Sequence, residues 1–445
     1  MRTRQNRRDF LRTGAAVGAG YWALGGVATA QSKSPNERVQ VAGIGVGGKG
    51  DSDVTNASRF GKIVALCDID DQTLAGKENV MKSGNTFNDY RELFDTMGDK
   101  IDAVTVSTPD HMHAVIAAAA MKLGKHVYCQ KPLTRTIWEA RRLGEIAREM
   151  DVVTQMGNQY TAHNPMREAA YQIREGNLGA VKEVHVWTNR PVWPQGGPRP
   201  TPTSPPEHVH WDLWLGVAPS RPFAEGAYHD FKWRGWWDFG TGALGDMACH
   251  TCNLPFMALN MRDPVSVEAT TSGHNGDSYP EWSTIKFEFP ELDGRAPFTL
   301  YWYDGGKKPD NSLFSEVTIK NGDGTPAPNK AGTMIIGDKA KMYAAGDYAQ
   351  EGIEIIGAEP MKVDYPRSRG HEREFYDGIK DRSKVPMSNF VDYGGPLTET
   401  ILLGNLAVWK NGEKVLWDAK TMTPLNDESL AKIVKPEYQN GYDLI

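Results

Sequence analysis

The chain is short of cysteine and of concentrated charge. Its 445 residues hold four cysteines, Cys67, Cys129, Cys249 and Cys252, too few for a disulfide-stapled scaffold. The 50 basic and 56 acidic side chains leave a formal charge of −6. No basic block follows the N-terminus, so binding to nucleic-acid phosphates is not expected. No internal repeat is evident. No cysteine precedes Cys67, which argues against a lipid-anchored N-terminus. The N-terminal apolar stretch from Thr13 is rich in glycine and alanine and short for a membrane span. The length suffices for two domains with sizeable cores.

From Arg38 the chain alternates short apolar runs with helical stretches, the pattern of a parallel doubly wound sheet. The run Val39 to Ile44 ends in Gly45-Val46-Gly47-Gly48-Lys49-Gly50. In such a turn one glycine permits the tight bend, the next lets backbone approach a pyrophosphate, and the last lets helix pack on strand. Starting the motif at Gly43 also fits, but Gly45 leaves the strand intact. A second run, Ile63 to Cys67, ends at Asp68, eighteen positions after Gly50. An acidic side chain there accepts from ribose hydroxyls and repels a 2′-phosphate, favouring NAD over NADP. A third run, Ile101 to Val106, leads into Ser107-Thr108-Pro109-Asp110-His111 and a helix over 114–123. The run at Val127 to Cys129 carries Gln130-Lys131-Pro132. A helix over 137–150 follows, and the stretch Val152 to Gly157 closes the sheet.

Beyond about Ala162 the runs lengthen and alternate, as in Val181 to Trp187, Thr284 to Phe289 and Phe298 to Tyr303. They predict a mostly antiparallel open sheet with helices on one face. The Pro-rich segment Pro191 to Pro206 reads as a long loop over the site. Seven of the thirteen tryptophans fall between Trp187 and Trp237. Indoles fill cores, and their faces also stack on sugar rings; composition leaves both readings open. In the stretch from Gly235 to His250, a helix from Gly245 onward would place Asp246 and His250 on one face. A carboxylate beside an imidazole orients it and raises its basicity, as general acid–base work requires. Cys249-x-x-Cys252 has no second ligand pair in sequence. His111-x-His113 and His208-x-His210 could each supply metal ligands, but the first lies on the turn Pro109-Asp110-His111-Met112-His113, and no metal is expected.

The glycine turn together with Lys131-Pro132 at a later strand end resembles the Gfo/Idh/MocA oxidoreductases, whose lysine lies in a Glu-Lys-Pro motif. Gln130 departs from that motif. Trp187-Thr188-Asn189-Arg190-Pro191, Trp211-Asp212-Leu213-Trp214-Leu215-Gly216, Tyr303-Asp304-Gly305-Gly306 and Leu397-Thr398-Glu399 resemble an exported branch of the same family. The resemblance implies an NAD-binding Rossmann domain over 37–160 and a substrate-binding α+β domain over 161–445, whose end packs back on the first. It implies an oxidoreductase acting on CH–OH groups of a sugar or glycoside, and a homo-oligomer. Lys131, Asp246 and His250 become the catalytic candidates. An ordinary lysine lies roughly three pH units, about 4 kcal/mol, too high to be the base at neutral pH. His250 is therefore read as base, Asp246 as its orienter, and Lys131 as the group polarising the hydroxyl or carbonyl. Cofactor contacts are expected from Gly45, Gly47, Gly48, Gly50, Asp68, Thr108, Pro109, His113, Gln130 and Lys131. Substrate contacts are expected from Asn158, His163, Arg190, Trp193, Trp236 and Trp237.

Residues 1–30 carry a further expectation. Asn6-Arg7-Arg8-Asp9-Phe10-Leu11-Arg12, the small apolar stretch after it and Ala28-Thr29-Ala30 look like a twin-arginine signal with its cleavage site. Such a signal predicts export of the folded protein to the periplasm without lasting membrane insertion. Free nicotinamide cofactor is scarce there, so NAD would be carried out tightly bound and regenerated in place. That expectation admits a redox-neutral glycosidase, in which bound NAD oxidises a hydroxyl transiently, beside a net dehydrogenase. A non-catalytic sugar-binding protein is the third reading.

Overall fold

Apolar runs bounded by glycine and acidic turns form the first sheet. Its strands are β1 (Val39–Ile44), β2 (Gly61–Cys67), β3 (Thr86–Phe87), β4 (Ala103–Val106), β5 (His126–Cys129) and β6 (Thr154–Met156). They lie in the order β3-β2-β1-β4-β5-β6, each pairing parallel to its neighbour. The computed structural model describes residues 38–321 and 324–444; the signal expected over residues 1–30 lies outside them. β4 is buried along its whole length and β1 nearly so, because helices cover both faces of a parallel sheet. The strand order turns back on itself between β1 and β4, and the crevice at that switch point is where such sheets bind ligands.

The helices between these strands start on side-chain caps. Asp70 accepts from the backbone N–H groups of Gln72 and Thr73 to start Asp71–Met81. Thr136 and Glu139 form a reciprocal capping box for Ile137–Glu149, together satisfying donors that the first helical turn leaves free. The helix expected over 114–123 begins earlier, at Asp110, since Pro109 supplies a rigid entry and the next three residues are buried against the other half of the chain.

The second sheet comprises β7 (Val181–Trp187), β8 (Ser266–Thr271), β9 (Ser283–Phe289), β10 (Phe298–Tyr303), β11 (Gly332–Gly337), β12 (Lys341–Ala345), β13 (Gly352–Ile356), β14 (Val415–Asp418) and β15 (Thr423–Pro424). Their order is β13-β12-β11-β7-β10-β9-β8-β14-β15. β10 runs parallel to β7 and the other pairs are antiparallel. Burial alternates strictly along β9 and β10, so one face is packed and the other open. The helix Gly395–Lys410 lies on β8 and β9 and also on Ile137–Glu149, joining the two halves. From Val39 the chain forms one compact unit. Its end does return to the first half: Tyr438 donates to Glu139 and Lys122 donates to the backbone oxygen of Leu444. No helix among the described residues is long and apolar enough to cross a membrane.

Most of the clustered tryptophans build a satellite core. Trp211 and Trp214 stack at 4.6 Å, and Trp233, Trp236, Tyr228 and Phe239 complete the group. Buried Arg221 sits over the rings of Tyr228, Trp236 and Phe239, a desolvated cation held by aromatic faces.

Candidate active site

The glycine turn is shaped by close backbone approach. Gly45 has φ +72°, and a Cβ there would lie 2.7 Å from the Ser107 carbonyl oxygen. At Gly50 a Cβ would come within 2.0 Å of the Gly45 oxygen, so the helix Lys49–Phe60 can start only on a residue without one. These two constraints favour the motif beginning at Gly45. Gly48 caps that helix with open space beside it, which leaves the helix N-terminus free to receive an anion. Beside the turn, Asp68 Oδ2 accepts from Val46 N at 2.7 Å and Oδ1 from Asp70 N at 3.0 Å. Burial raises the Asp68 carboxyl, opposed by those two N–H groups.

A cleft of about 490 Å3 runs from Asp68 and Asp70, past Gly45, Gly47, Gly48, Thr108, Pro109 and His113, to Gln130, Lys131, His250 and Tyr348. The expected cofactor residues therefore share one wall, with Gly50 directly behind it. His113 faces two carbonyls, Pro132 O at 2.9 Å and Thr108 O at 2.8 Å. Burial pushes it down to about 4, so the ring is neutral and its one N–H donates to one of them.

Lys131 reaches across this cleft to the second half. Its Nζ donates to the backbone oxygen of Asp246 at 2.7 Å and to Oδ1 at 2.8 Å. Arg234 Nε donates to the same Oδ1 at 3.2 Å, and Arg190 Nε lies 3.8 Å from Oδ2. Burial would raise the Asp246 carboxyl; Lys131 first, then Arg234 and Arg190, hold it well below the usual range. Asp246 and His250 lie one turn apart on the helix Gly242–Thr251, yet the carboxylate does not orient the imidazole. The lysine and arginine charges claim it, which corrects the role read from sequence. His250 is buried against the edge of Tyr348, ring centroids 4.6 Å apart. Its Nδ1 has no partner among the described residues. Burial and then Lys131 push this imidazole well below its ordinary value, so it is neutral at neutral pH.

The expected substrate contacts divide. Arg190 stands at the Asp246 carboxylate, and Trp193 lies behind it, edge-on to Phe231 at 6.0 Å. Trp236 belongs to the satellite core. Trp237 stacks on Tyr279 at 3.8 Å. Asn158 is fully buried and accepts from Ser388. None of these five lines the cleft, and neither does His163; for Trp236, Trp237 and Asn158, packing has claimed the side chain. His163 is separated from His250 by a ladder of rings through Tyr160 and Tyr348. The Pro-rich loop does not form the wall either; the segment after it does, through Leu213, Trp214, Phe231, Trp233 and Arg234. Sequence reading missed Arg234, Tyr348 and Asp53, none of which lies in a recurring motif. Among the described residues no three His, Cys, Asp or Glu side chains are arranged to hold a metal ion.

Residues 38–158 match the NAD-binding Rossmann fold of the Gfo/Idh/MocA oxidoreductase family. Residues 181–297 match its C-terminal alpha/beta domain. The chain belongs to this family. It is 28% identical over 170 residues to a levoglucosan dehydrogenase of Pseudarthrobacter phenanthrenivorans, covering 38% of this chain and 35% of that one. It is 32% identical over 199 residues to a glycosyl hydrolase family 109 protein of Solibacter usitatus, covering 40% of this chain and 44% of that one. The chain thus spans less than half the length of these relatives. Among solved structures it is similar to the WlbA dehydrogenase of Bordetella pertussis in complex with NADH and UDP-GlcNAcA. Identity there is 17% and the TM-score 0.60, covering 86% of this chain and 99% of the other. An inositol dehydrogenase homolog of Azotobacter vinelandii, complexed with NADH and myo-inositol, gives TM-score 0.56 at 17% identity, over 86% and 98% of the two chains. At these identities the likeness shows the fold.

Proposed function

We propose that this chain is an NAD-dependent oxidoreductase that abstracts hydride from a hydroxyl-bearing ring carbon of a sugar or glycoside. The carrying observation is the single cleft that leads from the glycine turn to His250 and to Lys131, which is held by Asp246. The residues present fit NAD: a helix N-terminus faces the pyrophosphate position, and Asp68, Asp70 and Asp89 line the ribose end, where a 2′-phosphate would meet like charge. Bound NAD supplies the hydride acceptor. Lys131 spends two N–H groups on Asp246 and has a third for the substrate oxygen. His250, neutral and part of the cleft wall, takes the hydroxyl proton. Asp246 holds the lysine in place rather than the histidine.

The cofactor is retained between turnovers in this reading. The segment after the Pro-rich loop is tied to the ribose end, with Asp71 N donating to His208 O at 2.9 Å and His210 N to Ile69 O at 2.9 Å. The C-terminal tail adds Tyr442 to the cleft wall. This enclosure also favours the redox-neutral glycosidase as a second reading, and the partial likeness to a glycosyl hydrolase supports carrying it forward. Export to the periplasm through the twin-arginine sequence and assembly as a homo-oligomer complete the proposal. The test is to purify the protein without added nucleotide, unfold it, and quantify what is released. Near-stoichiometric NAD(H) is expected; an empty protein that takes up cofactor freely would overturn retention. With glycosides, release of a ketosugar marks the dehydrogenase. Cleavage with solvent exchange at the neighbouring carbon and no net NADH marks the glycosidase.

A further inference from the structure

Beside the cleft wall that Lys131 and Arg234 help to form, positive charge gathers around one carboxylate. Three cations, Lys131, Arg234 and Arg190, meet Asp246. A second carboxylate, Asp347, lies 3.9 Å from Arg190 and accepts from Thr188 at 3.2 Å. Asp110 is buried and accepts from Thr241 at 2.7 Å; burial pushes its carboxyl up to about 7, so it is only partly ionised at neutral pH. Burial also raises the Asp347 carboxyl. Asp230 stands exposed at the rim.

The arginine donors are also underused. Arg190 lies beside both carboxylates without a hydrogen bond to either, and donates to Asn189. Arg234 spends Nε on Asp246 and Nη1 on the Phe231 carbonyl at 3.1 Å. The Nη2 group of neither has a hydrogen-bond partner among the described residues. Arg234 is held by stacking, its guanidinium 4.2 Å over Trp233 and 4.6 Å over Phe231. Its Nη2 group is thereby held in place to donate to an anion. Their Nε atoms address opposite oxygens of Asp246, so the two guanidiniums converge.

We infer that Arg190 and Arg234 recognise a carboxylate on the substrate, making the preferred substrate an acidic sugar, a hexuronic acid or its glycoside, rather than a neutral one. The inference rests on the proposed sugar site. Its test is calorimetric titration of the NAD-loaded protein with pairs of methyl glycosides, uronate against neutral, in the gluco, galacto and manno series. In at least one pair the uronide is expected to bind tenfold or more tightly than its neutral partner. Arg190→Gln and Arg234→Gln should each cut that preference at least threefold, with unchanged circular dichroism and with the neutral partner's affinity altered less than the uronide's. A merely structural role would weaken both partners alike. Neutral sugars binding as well as uronides in every pair, or a preference that survives both substitutions, overturns the inference while leaving the sugar site standing. Binding of no sugar of either kind overturns the sugar site and the inference with it.

Discussion

Gln130 donates its side-chain amide to Asp53 at 2.8 Å in the buried floor of the cleft. Ser107 donates to the same Asp53 oxygen at 2.8 Å, and Lys49 of the glycine turn pairs with the other. One carboxylate therefore ties together the turn, the loop after β4 and the lysine loop. This explains the departure from Glu-Lys-Pro. A glutamate at 130 would set a second carboxylate against Asp53, whereas glutamine offers a donor. Gly157 is part of the fit, because a Cβ there would strike the Gln130 amide at 2.5 Å.

Gln130→Glu is accordingly expected to destabilise the protein by about 3 kcal/mol, the scale of an unpaired buried charge. Adding Asp53→Asn should restore much of the loss by reversing the roles of donor and acceptor. Urea unfolding of the two single variants and the double variant measures the coupling. Strict additivity would contradict the arrangement.

Replacing Lys131 with Met should lower kcat/KM by about a thousandfold, since the substrate oxygen loses its donor. Asp246→Asn should cost about a hundredfold by releasing the lysine, with nucleotide content unchanged. Kinetics beside nucleotide quantification separates the two effects. Wild-type rates in either variant would remove both residues from the chemistry.

The pH profile tests the base. His250 titrates well below the ordinary 6.5 because it is buried beside Lys131. The acid limb of kcat/KM is therefore expected below the usual histidine range, with the rate level from about pH 8 to about pH 6. A limb centred near the ordinary histidine value contradicts the assignment.

Stability should respond to acid for a separate reason. Burial, the dominant cause in each case, holds His113 and His126 down to about 4 and His371 down to about 3. Unfolding frees each to bind a proton below its ordinary 6.5. Their contribution is intact above that pH and is lost as pH falls towards the folded values, at about 1.4 kcal/mol per pH unit for each histidine. Unfolding free energies at about pH 7, 6 and 5 should fall progressively; a flat series contradicts these burial effects.

Retention of the cofactor should depend on the C-terminal tail. Gln439 N donates to Val217 O at 3.1 Å, Asn440 donates to Gly216 O at 2.7 Å, and the Arg91 guanidinium lies 4.9 Å over Tyr442. Deleting residues 437–445, or the milder Tyr442→Ala, is expected to speed nucleotide release about tenfold or more, about 1.4 kcal/mol of lost contact. Unaltered release in both would contradict a closing role for the tail.

The parallel sheet was legible in sequence because its strands are apolar runs with glycine or acidic ends at the spacing of strand–helix units. The Lys131–Asp246–His250 grouping was legible through motif and helical spacing. What the sequence could not convey is competition. The helix put Asp246 and His250 on one face, but only the fold brings Lys131 and two arginines to the same carboxylate. Trp193, Trp236 and Trp237 look like Trp214 and Trp233 in sequence, and tertiary packing alone decides that only the latter two line the cleft. The link from Gln130 to Asp53 spans 77 positions, beyond any local pattern.

The most direct test of the central claim is a single turnover. Protein loaded with NAD+ is mixed with candidate sugars and uronides, and nicotinamide reduction is followed, with the same sugars deuterated at the ring carbons as controls. The account predicts reduction of bound cofactor by at least one of them, slowed by deuterium at one ring carbon and abolished by Lys131→Met. A sugar that binds the loaded protein while the cofactor stays oxidised and the sugar unchanged would contradict it.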